Sequence, residues 1–106
     1  MIRSEANILN DCMIALSNAG CLVWRNNVGG WKDPATGRVI RYGVGGKGGS
    51  DLLGVAPDGR LLAIETKTAT GRIRPEQELF IAAVRSRGGR AGIARSAEDA
   101  VRIALD

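Results

Sequence analysis

Two carboxylates and a lysine, Asp51, Glu65 and Lys67, stand at the two ends of the stretch S-D-L-L-G-V-A-P-D-G-R-L-L-A-I-E-T-K. Carboxylates held side by side repel each other, and one of them gains a raised pKa unless a cation lies between them. With oxygen donors alone on offer, the matching cation is Mg²⁺ or Mn²⁺. Such an ion polarises a phosphodiester and lowers the pKa of a bound water. A neighbouring lysine orients that water or neutralises charge developing on the phosphate. The backbone carbonyl of Thr66 is the natural further ligand. The same groups also fit a simpler reading, a carboxylate pair salt-linked by Lys67, and residue types alone do not separate the two.

Strand register decides whether the acids meet. A two-residue turn on Asp58-Gly59 would pair Pro57 with Arg60 and send Asp51 and Glu65 to opposite faces. A three-residue loop pairs Ala56 with Arg60 and sets Asp51 opposite Glu65. In that loop Pro57 and Asp58 form a type I turn, and Gly59 takes the left-handed position that closes a bulge. Pro57 favours the second form, because its fixed φ suits the turn and it has no N–H for a ladder. Glu65 and Lys67 then share a face with Asp51, Ala63 and Leu61, while Leu62, Ile64 and Thr66 line the other.

The flanking elements follow from caps and periodicity. Ser4 to Ala19 is expected to be a helix, capped by Ser4, stopped by Gly20, with an apolar stripe of Ile8, Leu9, Cys12, Ala15, Leu16 and Ala19. Glu5 lies near that stripe; alone, it reads as a first-turn acid that escapes to solvent. Cys21 to Arg25 is a short strand, Asn26 to Gly37 a long loop, and Arg38 to Tyr42 a weaker strand candidate. G-V-G-G-K-G-G-S lacks the order of a phosphate-binding P-loop, but it delivers the chain to Asp51 and reads as a binding or access loop. Leu52 to Ala56 and Arg60 to Thr66 are the best strands. A helix from Pro75 to Arg87, a strand from Ala91 to Arg95 and a short closing helix complete the chain. Gln77 leads the apolar stripe of the Pro75 helix with Phe80, Ile81 and Val84, so it needs a polar partner if buried.

Composition narrows the chemistry. At 106 residues the chain is expected to form one domain spanning 1–106. It has no histidine, which removes His-based general-base triads and the usual zinc sites. Cys12 and Cys21 read as free buried thiols. A net charge of +4 favours polyanions, nucleic acid first among them. Apolar runs are too short to span a bilayer, no organic cofactor is called for, and a cytoplasmic location is expected.

The order G-S-D51, I-E65-T-K67, then Gln77 on a helix resembles the PD-(D/E)XK nuclease superfamily, and within it the VRR-Nuc group. The likeness runs from Glu5 through Gly71 and G-G-R-A-G-I-A at 88–94. Ser50 stands where the superfamily name has proline. The resemblance implies an α/β restriction-endonuclease-like core, a mixed sheet flanked by helices in the order α-β-β-β-α-β with a short C-terminal helix. It implies a metal-dependent DNA endonuclease with Asp51 and Glu65 as metal ligands and Lys67 as catalytic lysine. Glu5 would be the first-helix acid, contacting the metal through water or holding Lys67, and Gln77 the supporting glutamine. Stand-alone phage and bacterial members of this group are associated with homodimers that cut branched DNA such as four-way junctions. A dimer would suit so small a chain, with Trp24, Trp31, Phe80 or the strand near Ile93 as candidates for burial between subunits.

Arg72 and Arg74 after the E-T-K strand, Lys47 before Asp51, and Arg38 and Arg41 are candidate phosphate contacts. Trp31 is a candidate for stacking on an exposed base or wedging at a branch, with packing as the equal alternative. Competing functions are a sequence-reading restriction-type endonuclease, a non-catalytic basic nucleic-acid-binding module, and a structural subunit of a larger assembly.

Overall fold

The computed structural model describes residues 3–106. Helix α1 spans Glu5–Asn18, with Ser4 Oγ accepting from the Asn7 N–H at 3.2 Å. Its buried side chains are Ile8, Leu9, Cys12 and Leu16, within the expected stripe. Strand β1 (Leu22–Arg25) follows, then β2 (Gly29–Lys32) and β3 (Val39–Tyr42). A 3₁₀ turn at Gly46–Gly48 leads to β4 (Leu52–Val55) and β5 (Leu61–Thr66). Helix α2 (Pro75–Ser86), strand β6 (Arg90–Ala94) and helix α3 (Ala97–Leu105) complete the order.

The main sheet runs β1-β4-β5-β6, antiparallel except for the parallel β5–β6 pair. A parallel neighbour needs a long crossover, and α2 supplies it. Taken alone, the sheet and its helices follow the expected α-β-β-β-α-β order with a C-terminal helix. Two apolar layers hold helices to both faces. Leu52, Leu62, Ile64 and Ala94 pack against α1 and α3, while Leu53, Ala63 and Ala91 pack against Ile81 and Val84 of α2.

The β4–β5 connection is the three-residue loop. Val55 pairs with Leu61 and Leu52 with Ile64. The Ala56 N–H donates to Arg60 O at 2.9 Å, and Gly59 adopts φ 87°, which L side chains avoid. Asp58 Oδ1 accepts the Arg60 N–H, and its Oδ2 pairs with Arg90 at 2.8 Å, tying the hairpin tip to β6.

The segment expected to be one long loop differs. Gly29–Lys32 is a strand, paired with β3 in a separate two-stranded ribbon inserted between β1 and β4. Two glycines hid its strand character, which comes from pairing rather than from propensity. The ribbon turn is closed by Asp33, whose Oδ1 accepts from Ala35 N and Oδ2 from Thr36 Oγ1. Among the described residues no helix is long and apolar enough to cross a membrane.

Candidate active site

Extrapolating the β4–β5 register by one residue sets Asp51 opposite Glu65. Asp51 Oδ2 accepts from both the N–H and the hydroxyl of Thr66, each at 2.9 Å. Its own carbonyl accepts the Asn26 N–H at 2.8 Å, so the residue is gripped from β5 and from the end of β1. Asp51 Oδ1 is left without a protein donor among the described residues.

Glu65 is only 3% exposed. Its Oε1 accepts from Gln77 Nε2 at 2.7 Å, and its Oε2 is buried without a hydrogen-bond partner. Burial first, then the Asp51 charge and the hydrogen bond that only the protonated form can give Asp51, push the Glu65 carboxyl up to about 8, so Oε2 is orphaned in the ionised form alone. The Lys67 ammonium pulls it partly back, and Glu5 adds a small upward push.

Gln77 serves two masters at the start of α2. Its Oε1 accepts the Arg74 N–H at 2.9 Å, filling the role of a capping-box side chain. The Arg74 N–H can only donate, so the amide oxygen must face it and the NH₂ must face Glu65. Pro75 opens the helix at a position where no N–H is needed.

These groups line a cleft of about 470 Å³ that also includes Arg41, Lys47, Arg74, Asn26 and Glu76. The glycine-rich segment forms one wall. Asn26 holds it, donating from Nδ2 to Val44 O and Ser50 O and accepting the Val44 N–H, at 2.9, 3.0 and 3.0 Å. Gly48 lies so close to α2 that a Cβ there would sit 2.0 Å from Glu76 O. Phe80, weighed above as a dimer contact, lies against Gly45 of this segment.

Of the residues singled out from sequence, the cleft brings together Asp51, Glu65, Gln77, Lys47, Arg41 and Arg74. Thr66 is fully buried beneath Asp51. Lys67 is half-buried and forms no ion pair with either carboxylate among the described residues, so the salt-linked pair is not what is built. Glu5 is exposed on the first turn of α1, and it, Lys67, Arg38, Arg72 and Trp31 do not line the cleft. Sequence reasoning missed Asn26 and Glu76. An Asn-Asn pair after a strand signals a turn but not which loop it will hold, and an acid in a first helical turn is ordinary. It missed Arg95 too, whose Nη1 donates to Thr68 O and Gly71 O and so fixes the chain that follows Lys67.

The donor set fits a hard divalent cation. Asp51 Oδ1 and Glu65 Oε2 are unshared oxygens, and the orphaned Oε2 gains a partner if a cation is bound. Among the described residues no group of three or more His, Cys, Asp or Glu is placed to hold a metal. Two carboxylates nevertheless suffice for Mg²⁺, which commonly takes its remaining ligands from water and phosphate.

The family model described as "VRR-NUC domain" matches residues 4–98. A solved structure described as "VRR_NUC domain" superposes with a TM-score of 0.60 at 21% identity, covering 93% of this chain and 91% of that one. No curated protein matches the sequence.

Proposed function

Since the chain belongs to the VRR-NUC domain family of PD-(D/E)XK-type nucleases, we propose that it is a divalent-metal-dependent DNA endonuclease selective for branched DNA such as four-way junctions. The observation that carries the metal dependence is the buried Glu65 Oε2, which has no hydrogen-bond partner in the ionised form and belongs to a residue that lines the same cleft as Asp51. Asp51 and Glu65, with the Thr66 carbonyl, would hold Mg²⁺ or Mn²⁺. When bound, the ion supplies charge to polarise the phosphodiester and acidify water.

The protein's own groups do the rest. Gln77 keeps Glu65 turned toward Asp51, and Thr66 keeps Oδ2 of Asp51 occupied so that Oδ1 faces outward. Lys67 acts as the catalytic lysine, orienting water or stabilising the charge that develops on phosphate. Glu5 acts from α1 at longer range, through water or on Lys67. Arg41, Lys47 and Arg74 in the cleft contact the phosphates, and Arg38 and Arg72 extend that path outside it. We propose a homodimer as the working unit. The two free edges of the main sheet, β1 with half-exposed Trp24 and β6 with Ile93, offer it surface.

The test is cleavage of four-way-junction, flap, single-stranded and duplex DNA by wild type and Lys67→Ala, with Mg²⁺, Mn²⁺ or EDTA. Wild type should cut junctions before duplex, only with metal, and Lys67→Ala should be slower by on the order of 10²-fold. Equal cutting by both proteins would sink the mechanism. Cutting of plain duplex at one sequence would favour a restriction-type enzyme, and metal-dependent binding without cutting a non-catalytic module.

A further inference from the structure

The β2–β3 ribbon has two chemically different faces. Opposite residues in an antiparallel pair share a face. Trp31 lies across from Ile40 and Gly29 from Tyr42, so Trp31, Ile40 and Tyr42 form one side. Gly30 lies across from Arg41 and Lys32 from Val39, so the two cations and the exposed Val39 form the other. Trp31, Ile40 and Tyr42 are 54%, 55% and 53% exposed, which leaves a continuous apolar and aromatic strip open to solvent.

Asp51 lies where the two sides meet. The Arg41 side opens on the cleft that holds Asp51 and Glu65. The Tyr42 side opens on a second groove, lined also by Arg25, Asn27, Leu9 and again Asp51. The Tyr42 ring is seated over Gly29, where a Cβ would come within 2.3 Å of its hydroxyl. The ring is therefore placed in advance and loses little freedom when something stacks on it.

Charge selects the occupant. Arg25 lines the Tyr42 groove, Arg38 stands at the ribbon turn, Lys32 and Arg41 lie on the reverse side, and the nearby acid Asp33 has both carboxylate oxygens engaged in its own turn. A polyanion with flat apolar groups meets both the charge and the aromatic strip. Resting on the reading of the chain as a DNA endonuclease, we propose that the Trp31–Ile40–Tyr42 face takes the unpaired bases of a DNA strand beside the scissile phosphate, while Arg41 on the opposite face holds that strand's backbone. A branch supplies such bases and a closed duplex does not, so the ribbon reads strand separation. Stacking on an aromatic side chain tolerates any base, and the preference is for structure rather than sequence.

The experiment measures binding in EDTA, by fluorescence anisotropy, to a blunt duplex and to a fork of equal length with single-stranded arms. A 2-aminopurine beside the branch reports stacking directly. Wild type should prefer the fork and change the 2-aminopurine emission. Trp31→Ala and Tyr42→Ala should each lower the fork-to-duplex affinity ratio by about fivefold or more, and Trp31→Tyr and Tyr42→Phe should retain it. An unchanged ratio in both alanine variants would overturn the proposal. So would sedimentation of those variants as a smaller species than wild type, which would make the strip an interface between copies. A protein that prefers forks but never cuts would sink the nuclease reading and leave this one standing; one that cuts without any fork preference would do the reverse.

Discussion

Gln77 and Glu65 are joined by a 2.7 Å hydrogen bond, Nε2 to Oε1, inside the protein. The other end of the same amide accepts the Arg74 N–H at the start of α2. One side chain thus sets the carboxylate orientation on β5 and the docking of the helix that walls the cleft. Gln77→Ala should lose about 1–3 kcal/mol of stability in urea unfolding, because it leaves the buried Glu65 Oε1 and the Arg74 N–H without their partner. It should also reduce metal-dependent cleavage. Gln77→Glu should also be destabilised, since its carboxylate can accept the Arg74 N–H but has no N–H to give Glu65 Oε1. Wild-type stability in both variants would show that the bond is incidental.

The raised pKa of Glu65 makes a signed prediction for the metal-free protein. Its carboxyl titrates near 8 in the fold but in the ordinary carboxylate range when unfolded. Between those values the unfolded chain gives up the proton first. The contribution to stability is therefore full at acid pH and is lost as pH rises toward about 8, by up to ~1.4 kcal/mol per pH unit. Thermal unfolding in EDTA from pH 5 to 8.5 should show this slope, and Glu65→Gln should flatten it.

Asn26 should prove more important than a loop asparagine usually is. Asn26→Ala removes all three side-chain bonds to the segment that carries Lys47. Amide hydrogen exchange should speed up across residues 44–50 while Leu62 to Ile64 stay protected. DNA affinity should fall with it. Asn26→Asp keeps only the acceptor for Val44 N–H and should lie between.

Much of this site was readable before any coordinates. Pro57 and Gly59 dictated the loop form, and with it the side-by-side placement of Asp51 and Glu65. Gln77 was marked by its position at the head of an apolar stripe. Of the ribbon only the second strand was readable; the first was not, because Gly29 and Gly30 carry no strand propensity and Trp31 has no apolar partner two residues away. Their strand geometry depends on Val39–Tyr42 across the turn and on the Tyr42 ring over Gly29. Asn26 and Arg95 were invisible for a related reason. Each acts on backbone atoms of a segment distant in the chain, which no local pattern announces. Glu5, by contrast, stands where its residue type and first-turn position place it, exposed to solvent beside the apolar stripe.

The central claim is that Asp51 and Glu65 together hold a divalent cation, and calorimetric titration with Mn²⁺ at pH 7 tests it most directly. Glu65 is then still largely protonated, so binding should release close to one proton, seen as a heat that varies with the buffer's ionisation enthalpy. Asp51→Asn and Glu65→Gln should each abolish or strongly weaken binding, and Glu65→Gln should remove the proton release. Mn²⁺ binding that is absent in wild type, or unaltered in both variants, would contradict the account.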